Sequence, residues 1–229
     1  MNRVPDSTAG TTSYHRPIRV FSDFDGTISL PDVGATLFNH FAGQRNYGTV
    51  RLWMEGRISS RECLTRECTY ITASREEMVA KLNQIEVRTG FNQFLELLNS
   101  NAIPLHIVSD GLDFYINAFL DKSGLHNLDV YSNRACFIHQ RLYPVFPYFD
   151  KGCGFCGTCK GERMESLSKD GELKVFIGDG YSDRCALGVA DLVFARADLA
   201  KLCREKEIDY LSFNDFLEIA DYFKRNLLQ

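Results

Sequence analysis

The chain has 229 residues, 45% of them hydrophobic, and a formal net charge of −4. That length allows one large domain or a domain with an insertion, and the apolar content excludes global disorder. A slightly acidic chain without a Lys/Arg run argues against a nucleic-acid partner. No apolar run is long enough to span a bilayer, and the N-terminus lacks the basic-then-apolar pattern of a secretory leader, so the expectation is a cytoplasmic protein. In a reducing compartment its eight cysteines stay free or bind metal.

Residues 1–16 are poor in apolar side chains and read as a flexible tail. The run Val20-Phe21-Ser22-Asp23-Phe24-Asp25-Gly26-Thr27 reads as a short buried strand ending in two carboxylates and a glycine turn. Asp23 and Asp25 lie two apart, so an extended backbone points them the same way. Like charges held close raise each other's pKa or demand a cation, and oxygen ligands suit Mg²⁺. From Asp32 to Asn99 the pattern is helical, with no strand-like run. Ser59-Ser60-Arg61-Glu62 and Ser74-Arg75-Glu76-Glu77 look like capped helix starts. Pro104 to Ser109 is a second buried strand, followed by Asp110-Gly111 and an aromatic-rich helix to about Ser123. Val130 to Ser132 is a third strand, and Cys136 to Phe149 a small hairpin or irregular excursion. Lys160 begins a helix. Leu173 to Ile177 and Leu192 to Ala195 are strands four and five, and two helices close the chain. Phe213, Phe216, Tyr222 and Phe223 in this last part are expected in the core rather than at a dimer interface, and both monomer and homodimer stay open.

Short apolar strands alternating with helices predict an α/β fold, a Rossmann-like parallel sheet with helices on both faces. In such sheets ligand groups collect beyond the carboxyl ends of the strands, which is where Asp23, Ser109 and Asp179 fall. The division expected is a core of residues 17–31 and 99–229 with a small helical cap, 32–98, inserted between the first two strands.

Four pieces then occur in order: Asp23-Phe24-Asp25-Gly26-Thr27, Ser109-Asp110-Gly111, Lys160, and Gly178-Asp179-Gly180-Tyr181-Ser182-Asp183. Together they resemble the motifs of the haloacid dehalogenase superfamily, in its phosphoserine-phosphatase-like branch. The resemblance implies a Mg²⁺-dependent phosphomonoesterase. Asp23 would be the nucleophile that forms an aspartyl-phosphate, and Asp25 the general acid and base. Asp23, Asp25 (through its carbonyl), Asp179 and Asp183 would hold the metal. Ser109, Asp110, Gly111 and Lys160 would bind phosphate, with Lys160 also neutralising charge at Asp23. Phosphoserine phosphatases often carry glycine where Asp110 stands, so its side chain is expected to face away while its N–H serves.

Asp32 lies nine residues after Asp23. Phosphoserine phosphatases carry there an acid that meets the substrate amine. An acid also occurs there in methionine-salvage phosphatases, and Asp32 could equally be a plain helix N-cap. Arg51, Arg57, Arg61 and Arg66 give the cap a basic side. Cys153, Cys156 and Cys159 form a glycine-rich loop before Lys160 that resembles those of methionine-salvage and phosphoethanolamine/phosphocholine phosphatases. Zn²⁺ on these three thiols is one reading, with His139 or Cys136 as a fourth ligand. The preferred reading is a loop of free thiols that positions Lys160, because a structural zinc site wants four ligands. The partner expected is a small phosphorylated metabolite, with a methionine-salvage substrate leading. Phosphoserine, phosphoethanolamine and phosphocholine are alternatives, as are phosphotransfer to an alcohol and a non-catalytic binding role.

Overall fold

The computed structural model describes residues 16–228. The tail expected over residues 1–16 lies, but for Arg16, outside the described residues. The strands are β1 (Ile18–Ser22), β2 (Ser29–Leu30), β3 (Glu86–Val87), β4 (Leu105–Leu112), β5 (Asp129–Ile138), β6 (Arg141–Val145), β7 (Leu173–Gly178), β8 (Leu192–Ala195) and β9 (Leu211–Ser212). Seven of them form one sheet in the order β6-β5-β4-β1-β7-β8-β9. All neighbours in it are parallel except the β5–β6 hairpin.

The sheet is buried on both faces, and the alternation of side chains along β1 shows why. Val20 joins a large apolar layer with Ile107, Val175, Ile177 and Phe194. Its neighbour Phe21 points the other way, into a smaller layer with Val108, Phe176, Val193 and Ala195. Helix α5 (Phe91–Ser100) and helix α9 (Phe216–Asn226) cover the first face. Phe94 meets Phe223 edge-on at 5.1 Å, and Phe91 meets Phe216 at 5.0 Å. Phe213, Phe216 and Phe223 are buried, and Tyr222 packs on Phe194, so the aromatic C-terminus is core as expected. Helices α7 (Lys160–Leu167) and α8 (Ala197–Glu205) cover the second face through Met164, Leu199 and Cys203. Helix α6 (Asp113–Lys122) brings Phe119 against Phe24.

Between β2 and β3 the chain forms α1 (Val33–Ala42), α2 (Gln44–Met54), α3 (Ser60–Thr69) and α4 (Arg75–Ala80). Both expected caps are present. Ser59 Oγ accepts from Glu62 N–H at 3.0 Å, and Ser74 and Glu77 form a reciprocal capping box. Val33, Leu37, Leu64, Cys68 and Met78 extend the large apolar layer, so these helices share a core with the sheet.

The structure corrects the strand reading in three places. β2 and β3 pair antiparallel at the base of the inserted helices, where no strand was expected. Two residues each carry too short a pattern to register as alternation. β9, also two residues, escaped for the same reason. β4 runs on to Leu112 rather than ending at Ser109, with its pairing to β5 broken between Val108 and Leu112. No helix among the described residues is long and apolar enough to cross a membrane.

Candidate active site

The site begins where β1 stops. The Asp23 N–H donates to Ile177 O at 2.9 Å, which carries the chain straight off the sheet beside β7. The turn then closes on itself, since Phe24 O accepts from the N–H groups of Thr27, Ile28 and Ser29. Gly26 sits at φ +75°, and a Cβ there would lie 2.5 Å from Asp179 Oδ2. Only glycine satisfies both the backbone and the close approach of the second carboxylate. Buried Arg88 pins this turn from below, donating to the carbonyls of Gly26 and Thr27.

Lys160 is fully buried beneath Asp23. Its Nζ lies 2.6 Å from Asp23 Oδ1 and also pairs with Asp183 Oδ1. Burial alone would push this ammonium's pKa down, but the charges of Asp183 and Asp23 more than offset it and hold it up. The other oxygen of Asp183 accepts from the N–H groups of Asp179 and Gly180, each at 2.9 Å. Asp183 thus stands behind the site and fixes the loop after β7. Asp179 is held by Thr27 Oγ1 at 2.9 Å. Burial and then the charge of Asp183 push the Asp179 carboxyl up to about 6, and the same two causes raise Asp23.

One oxygen each from Asp23, Asp179 and Asp183 lie within 4.8 Å of one another. Three carboxylates share one lysine, so the cluster lacks positive charge. A divalent cation with oxygen preference fits this donor set and would relieve the raised pKa values.

Asp25 is positioned separately. Its Oδ1 accepts from the N–H groups of Val33 and Gly34 at the start of α1, and its Oδ2 accepts from Tyr115 Oη at 2.9 Å. Burial, then the charge of Asp32, push the Asp25 carboxyl up to about 7. That value suits a group that must both give and take a proton. Gly111 makes the arrangement feasible, because a Cβ there would run into Tyr115 Oη and sit 2.7 Å from Asp25 Oδ2. Ser109 Oγ donates to Asp25 Oδ2 at 3.4 Å and accepts from the Gly111 N–H at 2.9 Å. The interrupted pairing of β4 at residues 109–111 leaves backbone here outside the sheet ladder.

Asp110 does turn its side chain away. The carboxylate accepts from Thr158 N–H at 2.8 Å, from Asn133 Nδ2 at 3.0 Å and from Ser60 Oγ. It therefore ties β5, the cysteine loop and the first turn of α3 together. Asp32 caps α1 through Ala35 N–H at 2.7 Å, as the N-cap reading expects, and also lines the cavity.

Asp23, Asp25, Ser109, Asp110, Gly111 and Asp179 form one wall of a cavity of about 620 Å³; α1, α2 and α3 form the other. Phe38, Val50, Leu64 and Trp53 make the far wall apolar, while Asn39, Asn46 and Glu67 add polar groups. Asn46 Oδ1 and Trp53 Nε1 are buried without a protein partner. Burial, then Asp32, push the Glu67 carboxyl up to about 8. Of the cap arginines, Arg51 reaches the cavity mouth. Arg57 pairs with Glu55, Arg66 pairs with Glu62, and Arg61 stacks on Phe149 at 4.2 Å.

Sequence reasoning missed Tyr115, Arg88, Glu67 and Asn46. None has a motif around it, and only the packing brings it to the site. The fourth thiol near Cys153, Cys156 and Cys159 was missed too. It is Cys185, from the 3₁₀ segment Tyr181–Gly188, and neither His139 nor Cys136 belongs to the group.

Comparison with known proteins adds findings of three kinds. The profile of the family described as Putative Phosphatase matches residues 18–208. The 2-hydroxy-3-keto-5-methylthiopentenyl-1-phosphate phosphatase of Bacillus cytotoxicus is 31% identical over 209 residues, covering 89% of this chain and 94% of that protein. The protein of the same name from Lysinibacillus sphaericus is 31% identical over 216 residues, covering 90% and 94%. Among solved structures, a phospho-aspartyl intermediate analogue of phosphoserine phosphatase superposes with a TM-score of 0.71 at 20% identity, covering 90% of this chain and 99% of that one. The phosphoserine phosphatase of T. onnurineus superposes with a TM-score of 0.67 at 16% identity, covering 95% and 98%. At these identities the structural likeness speaks for the shared fold.

Proposed function

The chain belongs to this phosphatase family, within the haloacid dehalogenase superfamily, and on that premise we propose how its residues divide the work on a phosphate monoester. Asp23 attacks phosphorus with the oxygen that Lys160 does not engage. The bond from phosphorus to the ester oxygen breaks as the aspartyl-phosphate forms, and Asp25 gives its proton to the leaving oxygen. Water then passes a proton back to Asp25 and attacks the same phosphorus, which releases inorganic phosphate and restores Asp23. Lys160 stays protonated and balances charge on Asp23. Ser109 and the backbone N–H groups at Asp110 and Gly111 receive phosphate oxygens. Enzymes of this family generally use Mg²⁺; Asp23, the Asp25 carbonyl and Asp179 would hold it, with Asp183 behind them. When bound, it would neutralise phosphate oxygens and orient the phosphoryl group.

One observation carries this reading: Asp23 opens on a cavity with a protonated lysine behind it and an acid held to about 7 beside it. Nothing in a bare strand end requires that combination.

The substrate we favour resembles that of the named relatives, a small phosphorylated hydroxy-ketone with an apolar tail. The cavity offers an apolar far wall for such a tail, and two unpartnered polar atoms, Asn46 Oδ1 and Trp53 Nε1, for hydroxyl or keto oxygens. A second reading rests on Asp32 and Glu67, buried carboxyls whose raised pKa values a cationic head group such as that of phosphoethanolamine or phosphocholine would bring down. Phosphoserine is the weaker choice, because Arg51 is the one arginine lining the cavity among the described residues and it pairs with Glu55. The cap of this account ends before α5, since α5 packs on α9 rather than over the site. Eight cysteines with none in a disulfide fit a cytoplasmic location.

Phosphate release from a panel of these esters, with Mg²⁺ and with a chelator, tests the assignment. The hydroxy-ketone phosphate is expected to give the highest kcat/KM. Preference for an amine ester would select the second reading, and transfer to an added alcohol in place of water would make the enzyme a phosphotransferase. Ligand binding without turnover of any ester would favour a non-catalytic role.

A further inference from the structure

Three cysteines were visible as a group in the sequence, and the fold adds a fourth. Cys153, Cys156, Cys159 and Cys185 place their Sγ atoms within 4.8 Å of one another. The Cys156–Cys185 and Cys153–Cys185 separations are 3.9 and 3.7 Å. A tetrahedron of thiolates with metal–sulfur bonds of about 2.3 Å has edges of about 3.8 Å. We propose that these four thiolates hold a structural Zn²⁺ that fastens the loop before α7 to the 3₁₀ segment after β7.

The surroundings are built for this approach. A Cβ at Gly161 would collide with the Cys185 carbonyl, and one at Gly152 would lie 2.8 Å from Cys159 Cβ. These glycines let the two segments close until the sulfurs meet. Cys159 occupies the N-cap position of α7, where the helix N-terminus favours its thiolate. Cys153 and Cys156 supply two more ligands at C-x-x-C spacing, the separation that lets neighbouring thiols converge on one ion. The loop is also clamped from outside. Arg184 stacks on Phe155 at 4.1 Å, and Arg61 N–H donates to Phe155 O at 3.3 Å. No disulfide joins the four.

The ion would be closed to substrate, because the chain fills all four positions, which is the mark of a structural rather than a catalytic zinc. Its value lies in what stands next to it. Lys160 follows Cys159 directly, and Asp183 lies two residues before Cys185. One metal therefore sets the relative position of the two elements whose side chains form the buried Lys160–Asp183 pair. This assignment rests on sulfur geometry and not on the identity of the substrate.

The test is metal analysis of the tag-free full chain, produced in zinc-containing medium and kept reduced. One zinc per chain is expected. Cys185→Ser should lose at least nine-tenths of it, while Cys136→Ser, which alters an exposed thiol outside the cluster, should keep it all. Replacement by Co²⁺ in the wild type should give the intense visible bands of a tetrahedral tetrathiolate, so the assignment stays testable even where Cys185→Ser does not fold. Wild type with less than a tenth of an equivalent of zinc would overturn it, whether its four thiols then titrate freely or have paired as disulfides. Phosphatase activity enters none of these readouts, so failure here and failure of the catalytic assignment are separable.

Discussion

Two clusters flank the contact between α7 and the 3₁₀ segment Tyr181–Gly188, and they differ in chemistry and in access. On one side, three carboxylates gather with Lys160 below an open cavity. On the other, four sulfurs converge with two of them buried. Both clusters draw on the same two elements, because Lys160 and Cys159 are neighbours and so, nearly, are Asp183 and Cys185. The oxygen side leaves room for phosphate and water, as magnesium chemistry needs. The sulfur side, with four ligands from the chain, needs none. On the two proposals, catalysis and bracing are adjacent here yet use ligand types that select different ions.

The oxygen side is the more sensitive to breakage. Lys160→Met should abolish measurable turnover and, by leaving Asp23 and Asp183 buried without their cation, destabilise the fold by about 3–5 kcal/mol. Denaturant unfolding and phosphate release read the two effects separately. Tyr115→Phe tests the neighbouring acid. It removes the hydroxyl that holds Asp25, and a loss of about 1–1.5 kcal/mol of positioning predicts a roughly tenfold fall in kcat with little change in melting temperature.

The cavity's other wall gives a smaller, pH-dependent effect. The Glu67 carboxyl is raised to about 8, so the folded chain keeps a proton that the unfolded chain has released. Stability contributed by Glu67 is therefore present at acid pH and lost as pH climbs from about 4.5 through 8. Glu67→Gln removes this dependence, and its melting temperature should gain on the wild type at pH 8.5 and not at pH 5. Glu172 runs the other way. Its hydrogen bonds to Arg19 hold it down to about 2, so its contribution is intact above about 4.5 and is lost as pH falls toward 2. Glu172→Gln should thus cost stability at neutral pH and little near pH 2. Smallest of all, Arg57→Ala and Arg66→Ala should leave KM unchanged and shift stability by less than about 0.5 kcal/mol, since both arginines pair with exposed acids on the cap surface.

The two clusters also differ in how far they could be read in advance. The carboxylates sit at strand ends, and strand ends are marked in sequence by short apolar runs that stop at Asp or Ser. Asp23 and Asp179 were therefore legible, as were the parallel sheet and the capped helices of the insertion; Ser109 carried the same mark although β4 runs past it to Leu112. Cys185 carries no local mark, since it stands alone and far in sequence from the other three thiols. It becomes visible once Lys160 is paired with Asp183, because that pairing brings Cys159 and Cys185 together. Tyr115 and Arg88 were hidden for a related reason, as each acts across the fold on a backbone turn or a carboxylate far away in sequence. Asp110 was half legible. Its departure from glycine flagged a side chain turned away, but the partners Ser60, Asn133 and Thr158 come from three separate elements.

The nucleophile is the central claim, and trapping it is the most direct test. The wild type is mixed with its best ester and Mg²⁺, quenched in acid within one turnover, digested and read by mass spectrometry. A phosphoryl adduct is predicted on the peptide carrying Asp23. In Asp23→Asn it should be absent, and steady-state phosphate release should fall by at least about 10³-fold. Turnover retained in Asp23→Asn, or an adduct on a different residue, would contradict the account.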